Sequence, residues 1–507
     1  MKKYSNHLFL LAVTVAAGAC SDSFLDIKPR GTDLEANYYQ NQQEAFNGLV
    51  AIYDVVGWQS ANYVSKLTFL MPASDDHYAG GGPGGTDQPQ LQVVSDYTLT
   101  PDLGPQEELW RKGYSGIFRA NILLQKLPDI PMDEGLKRRY TAEAKALRAY
   151  FYFDLVRFFK NIPLLTEPVP ADQMYNVLQA PPEDVYARIE QDLTEAIPDL
   201  PPTIPVATEG GRLTQGAARA LLGRVYLQLE RFEPAAQQLA EVNGEPGGTS
   251  QYGYRLLDNF GDLFEVDNKF NSESIFEISH TNTSIGDWAC IPCTEGNILN
   301  IMSGPRGYTP NPGAPDYVSG WGFFPLTTNL VDLMRDDPRY PHTVADMNSL
   351  LENGIIANYE SGHMNTGYFI EKYAGREKDR WTGAGSPELN FPQNTYEIRL
   401  ADTYLMEAEA LVRGGGNITR AANLLNAVRD RVGLGPVAAT MDNIKRERRI
   451  ELVGEGQRWF DLIRWGDAPA ALGWKGFVDG KHEILPIPLL ELENTALEQS
   501  REWGGTK

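Results

Sequence analysis

Between residues 211 and 242 the chain carries Leu222, Gly223 and Tyr226, followed by Ala235 and Leu239. Apolar residues three and four apart mark one face of a helix, and the pattern resumes after a short break. Small residues at Gly223 and Ala235 let two antiparallel helices approach, and Tyr226 fills the space between them. Such a pair buries its remaining apolar surface only by stacking on neighbours of the same kind. The stretch therefore dictates a mainly α-helical body built from stacked helix pairs.

The spacing fits the tetratricopeptide pattern Leu-Gly-x2-Tyr…Ala-x3-Phe, with Leu239 in the last position. A looser copy runs from Ala408 and Leu411 to Ala421 and Leu425, one residue longer between its helices. Residues 144–159 supply another first helix, with 183–193 as its more distant partner. Further helices are expected at 33–56, 61–71, 106–127 and 136–159. The repeats are read as scaffold.

Residues 443–466, NIKRERRIELVGEGQRWFDLIRWG, read as one helix. Ile444, Leu452, Trp459, Leu462 and Ile463 fall at helical spacing, with Phe460 beside them. The charges between them alternate in sign and favour ion pairs along and between helices. Gly454 and Gly456 each cost about 1 kcal/mol relative to Ala inside a helix, so another backbone or a bulky ring is expected close to them.

Elsewhere periodicity fails. Residues 72–105 read as a long mobile surface loop, with His77 and Tyr78 ahead of the run GGGPGG at 80–85. No Gly-Lys-Ser/Thr follows, so this is not a phosphate loop. Residues 244–393 are loop-rich, with one alternating strand at 274–279. At the other end, Lys2 and Lys3 precede an apolar run too short to span a bilayer, which marks residues 1–19 as an export signal. The rest divides into a region 20–243 and a region 244–507, expected to form one body.

The formal net charge of −22 repels nucleic acid and anionic lipid headgroups, which excludes both as partners of the folded surface. In an exported chain, Cys290 and Cys293 read as a local disulfide, one that would stiffen the loop carrying Trp288. No thioredoxin-like βαβ pattern surrounds them, and no nearby CxxC or HxxxH completes a zinc site. Asp262, Asp267 and Glu273 are the one acidic set weighed for calcium, and their spacing misses the EF-hand loop. No metal and no cofactor are expected. G-x-S-x-G, HExxH and P-loop motifs are absent, and acidic pairs are too numerous to indicate glycoside hydrolysis. Rings outside any helical stripe are better placed for stacking on the C–H faces of sugars. Tyr78, Trp288, Tyr308, Tyr317 and Trp321 form that set, with Trp321 first because glycines flank it.

ERRIELVGEGQRWFDLIRWG closely resembles the signature segment of the SusD/RagB family of surface nutrient-binding lipoproteins. Other motifs appear in the family's order: FLDIKPRGT at 24–32, WGFFP at 321–325 followed by DDPR at 336–339, YEIRLADTYLMEAEALV at 396–412, and LPIP at 485–488. Glu491, Asn494 and Gln499 continue the closing motif, with Ser500 where the family has Asn. The AlaGlyAla before Cys20 resembles a lipobox with Ala17 in place of Leu, and Ser21-Asp22-Ser23 is similar to a short surface-export tag. The resemblance implies cleavage before Cys20, lipidation of its thiol and exposure at the outer-membrane surface. It also implies binding without catalysis, with ligand residues on loops opposite the repeat helices. The chain would capture an oligosaccharide and deliver it to a SusC-like TonB-dependent transporter, on which the repeats would dock. The alternatives are a RagB-like peptide-binding lipoprotein and a surface glycoside hydrolase.

Overall fold

Helix formation in the computed structural model, which describes residues 38–58 and 63–507, follows the caps as closely as the apolar pattern. Helix α1 (Gln42–Gly57) starts where the Asn41 side chain accepts the Glu44 N–H, later than the expected position 33. Helix α2 (Lys66–Ala73) starts at a capping box between Ser65 and Thr68, not at 61, which leaves Tyr63 outside it in the left-handed region (φ 57°). Then come α3 (Gln106–Lys126), α4 (Glu134–Phe159), α5 (Pro182–Ala196), α6 (Gln215–Gln228), α7 (Phe232–Asn243), α8 (Leu400–Arg413) and α9 (Ile418–Asp430). Among the described residues no helix is long and apolar enough to cross a membrane. Cys20 and the export signal lie outside the described residues.

Helices α3 to α9 pack in chain order, each against the next, although a long loop-rich stretch separates α7 from α8. Residues 183–193 fall in α5 and pack on α4, and the looser repeat is the pair α8–α9. In the pair α6–α7, a Cβ on Gly223 would lie 2.7 Å from Leu239 Cγ, so only glycine permits this approach. Leu222, Tyr226, Ala235 and Leu239 join one core that also takes residues from α1 and from the segment near Ile487. Each fully buried leucine there contributes about 1.5–3 kcal/mol.

The stretch 443–466 is not one helix. It forms α10 (Met441–Glu451) and α11 (Arg458–Trp465), separated by a turn in which Gly454 and Gly456 have φ of 73° and 74°. Those angles are left-handed, so the glycines end α10 and reverse the chain rather than weaken a continuous helix. Close packing at the glycines is present, but against aliphatic side chains: a Cβ on Gly454 would meet Ile370 Cδ1, and one on Gly456 would meet Leu67 and Leu70.

The charges of this segment turn inward. Arg339 Nη1 lies 2.6 Å from Glu447 and 2.8 Å from Glu451, and Arg431 also pairs with Glu451. Lys372 Nζ reaches Glu455 at 2.7 Å, and Arg448 bridges Asp402 and Asp461 at 2.8 Å each. Burial alone would push the Glu451 carboxyl up. Arg431, Arg399 and Arg339 together reverse that and hold it well below the usual carboxylate range.

Besides a two-residue pairing of Ile162–Pro163 with Gln179–Ala180, three antiparallel strand pairs complete the body. Strand β1 (Ser274–Ile278) pairs with β6 (Thr395–Arg399), β2 (Arg306–Pro310) with β4 (Ile356–Glu360), and β3 (Val344–Asp346) with β5 (Tyr368–Ile370). The expected strand at 274–279 is β1. The stretch 72–105 departs from the surface loop read from sequence. Its first ten residues are largely buried, and Pro89–Ser95 is a short helix. Asp75 is held by Arg458 at 2.8 Å and Asp76 by Arg449 at 2.8 Å, so α10 and α11 draw this segment inside.

Candidate functional site

Three rings from three distant segments meet at one place. Tyr63 precedes the α2 capping box, and its carbonyl accepts from Thr68 Oγ1 at 2.9 Å. Trp288 stands on a loop closed by the Cys290–Cys293 disulfide, where the Asp287 side chain accepts the Ala289 N–H at 3.0 Å. Trp321 lies between Gly320 and Gly322. Its N–H donates to the Ile301 carbonyl at 2.8 Å, and a Cβ on Gly320 would lie 2.5 Å from Gly304 Cα. Ring centroids are 6.0 Å apart for Tyr63–Trp288, 5.7 Å for Tyr63–Trp321 and 5.9 Å for Trp288–Trp321. The two indoles are inclined by only 31°, and Trp288 is 44% exposed. Trp321 is half-buried, with its inner side on the core around Phe323 and Leu326.

Polar groups border this cluster. Arg306 Nη1 donates to the Trp321 carbonyl at 3.1 Å and lies 3.9 Å from Asp87 Oδ2. The same Asp87 oxygen accepts the Gly82 N–H at 2.8 Å. Gly81 and Gly82 of the glycine run thus lie against Asp87, with the Arg306 guanidinium beside Gly82. An exposed indole with two further rings beside it and charged donors and acceptors nearby suits a sugar: apolar C–H faces stack while hydroxyls find partners.

The other residues named from sequence lie elsewhere. Tyr308 and Tyr317 are each 7% exposed and pack together at 5.3 Å in a small core with Met347 and Phe369. Their hydroxyls are engaged: Tyr308 donates to the Pro315 carbonyl at 2.7 Å and Tyr317 to Glu371 at 2.5 Å. His77 is buried against the Phe324 carbonyl. Desolvation lowers its pKa to about 4, so the ring is neutral. Tyr78 is half-buried and stands edge-on to Trp474 at 5.7 Å, a ring that sequence reading passed over. Tyr63 was also passed over, because the apolar pattern places it in a helix. The Ser65-x-x-Thr68 cap is the signal that would have released it. Of the acids weighed for calcium, Glu273 pairs with Arg399 and Arg431, and Asp262 accepts from Asn259 at 2.7 Å. Among the described residues no acid, histidine or cysteine group has the arrangement to hold a metal ion.

A stack of helix pairs carrying a loop-borne aromatic face defines a SusD-like binding-protein fold. Comparison with known proteins agrees. A model of the SusD family matches residues 273–483, and one described as starch-binding associating with outer membrane matches 86–227. A solved laminarin binding SusD-like protein shares 50% identity with a TM-score of 0.88, covering 91% of this chain and 99% of that one. Surface glycan-binding protein A from Bacteroides thetaiotaomicron, solved in complex with laminarihexaose, is 26% identical with a TM-score of 0.79, over 89% of this chain and 97% of that one. A SusD-like protein of Bacteroides ovatus is 26% identical over 482 residues, 91% of this chain and 82% of that protein. The chain belongs to the SusD family.

Proposed function

We propose that this protein captures a laminarin-type oligosaccharide at the Tyr63–Trp288–Trp321 cluster and passes it, without chemistry, to a SusC-like TonB-dependent transporter. The observation that carries the reading is the convergence of three rings from separate loops, with the Trp288 indole exposed beside its neighbour. The glycan class is supported by two similar structures whose titles name laminarin and laminarihexaose. Calorimetry with laminarin on the soluble protein tests it, with the Trp288→Ala variant as control. Saturable binding that the substitution weakens supports the reading. Preferential binding of peptides over laminarin would move the protein to the RagB-like reading, and release of shorter glucans would make it a hydrolase.

The tether in this proposal is an acylated Cys20 that holds the protein at the outer-membrane surface. Mass spectrometry of the envelope protein tests it, and an intact Met1 terminus would overturn it. For the transporter, an apolar groove of about 400 Å³ offers a contact face, lined by Trp110, Tyr114, Phe118, Leu165, Met174 and Leu497. Phe118 on α3 is 52% exposed there, beyond what a core residue requires. Purification in mild detergent should recover a large β-barrel partner. A Phe118→Asp variant recovered with equal partner would overturn the role of this face.

A further inference from the structure

We propose that Tyr78 and Trp474 form a second stacking station for the same glycan chain, so that longer oligosaccharides engage both this pair and the Tyr63–Trp288–Trp321 cluster. This inference rests on the glycan reading of that cluster and extends it to Trp474, a ring that the sequence pattern does not single out.

The first observation is a ring kept outside a tightly held backbone. Trp474 is 57% exposed, while its neighbours Leu472, Lys475 and Phe477 are buried. Lys475 Nζ donates to the carbonyls of Ser74 at 2.9 Å and His77 at 2.8 Å, and also to that of Pro72. It lies 5.7 Å from the Trp474 ring and 5.9 Å from the Tyr78 ring. Gly476 follows with φ 103°, where a Cβ would come 2.7 Å from the Asp96 carbonyl oxygen. Phe477 then packs edge-on against Tyr97 at 5.2 Å. The backbone on both sides of Trp474 is therefore fixed, and the indole that the core does not use stands edge-on to Tyr78. A rigid backbone that presents an exposed indole is preorganised for stacking, because little freedom remains to be lost on binding.

The second observation is continuity with the cluster. Residues 77–81 run antiparallel to 322–326, with bridges His77–Leu326 and Gly80–Phe323. The Tyr78 N–H donates to the Pro325 carbonyl at 3.0 Å, and the Gly81 N–H to the Gly322 carbonyl at 2.8 Å. Tyr78 and Trp321 thus sit on one two-stranded ribbon. The four residues from 325 to 321 span at most about 14 Å of chain. That bound keeps the two backbone positions close enough for one oligosaccharide to reach from one ring to the other. A glycan is also the occupant that matches the chemistry, because the pair offers ring faces with exposed Asp96 and Thr98 on the neighbouring segment.

The experiment is calorimetry on the full soluble chain with a laminarin length series, from the disaccharide through laminarihexaose to laminarin. Wild type should bind more tightly as the chain lengthens. Trp474→Ala should bind the short members as wild type does and lose roughly tenfold in affinity for laminarin, while Trp474→Phe, which keeps a ring, should recover most of it. An unchanged thermal midpoint excludes a folding effect, since the ring is outside the core. Wild-type affinity of Trp474→Ala for every length would overturn the second station. An equal loss at every length would overturn it too, by placing Trp474 in the first station. Unaltered binding by Trp321→Ala would instead remove the cluster reading on which the proposal rests.

Discussion

Arg399 Nη1 lies 2.6 Å from Glu451 and 2.8 Å from Glu273, and all three side chains are closed to solvent. One guanidinium thereby ties the end of α10 to β6 and to the residue that leads into β1. An intact buried ion pair adds little net stability over an apolar packing of the same volume, because desolvation offsets the attraction. Breaking the set is a different matter, because Glu451→Ala leaves Arg339, Arg399 and Arg431 short of a shared partner. It is expected to lower unfolding free energy by about 3–5 kcal/mol. Urea unfolding monitored by circular dichroism checks this, and a loss near zero would mean that the arginines re-pair or find water.

The same carboxylate sets a pH dependence. Its folded pKa is held well below the ordinary glutamate range, despite the burial that acts the other way. Its stabilisation is therefore complete above the unfolded pKa and is lost as pH falls through the folded value. Wild-type stability should decline through the acid range below the ordinary glutamate pKa. Glu451→Gln should start lower and decline less steeply there. Parallel slopes for the two proteins in urea melts at a series of acid pH values would show that other carboxylates carry the acid sensitivity.

Gly454→Val is expected to destabilise by about 1–3 kcal/mol. A branched residue resists the φ of 73° at this position, and its Cβ would run into Ile370 Cδ1. Gly454→Ala, which meets the same obstacles without the branch, should fall between wild type and the valine variant. Thermal midpoints for the three proteins decide it. Equal midpoints would mean that the turn relaxes freely.

The helical scaffold was legible because its signal is local: Gly223 and Ala235 sit at the spacing that two packed helices require, and Leu239 fills the gap. The α10–α11 turn was not, since Leu452 and Trp459 keep helical phase across Gly454 and Gly456. Periodicity cannot report a left-handed φ. Inward charges such as Glu451 and Glu455 also look like a solvated face until Arg399, 52 and 56 residues earlier in the chain, is placed beside them. The aromatic site divides in the same way. Trp288 and Trp321 stood out as rings without a helical stripe. Tyr308 and Tyr317 looked identical by that test, yet they fill a small core beside Met347 and Phe369. Proximity among Tyr63, Trp288 and Trp321 is a property of the tertiary fold and has no local signature.

Trp321→Ala and Tyr317→Ala should therefore separate binding from packing. The first removes part of the aromatic cluster and should weaken laminarin binding by about 1–3 kcal/mol, on the scale of a truncated interface anchor, with a smaller loss of midpoint than the second because Trp321 is only half-buried. The second empties a buried site and takes the hydroxyl away from one oxygen of Glu371, whose other oxygen keeps its Arg376 partner. It should lower stability by about 3–5 kcal/mol with affinity nearly intact. Calorimetry and thermal melts on both variants check this, and the opposite assignment of effects would move the ligand face to the Tyr308–Tyr317 core.

The last expectation concerns the disulfide beside Trp288. Cys290 and Cys293 are three positions apart, so the bridge closes a very short ring and constrains the unfolded chain only modestly, by about 2 kcal/mol on the chain-entropy account. What it holds is local. The Cys293 N–H donates to the Cys290 carbonyl at 3.1 Å and the Cys290 N–H to the Asp287 carbonyl at 3.1 Å, a tight turn directly after the indole. With the bridge removed, that turn can open without unfolding the helical stack, and Trp288 loses its fixed place between Tyr63 and solvent. The Cys290→Ser, Cys293→Ser double variant should keep a near-wild-type midpoint and bind laminarin several-fold more weakly. The loss should vanish when Trp288 is already alanine, because the bridge then has no ring to position. Reductant added to wild type should reproduce the double variant. Equal affinity with and without the bridge would show that the rings hold each other, with Tyr63 and Trp321 sufficient to fix the indole.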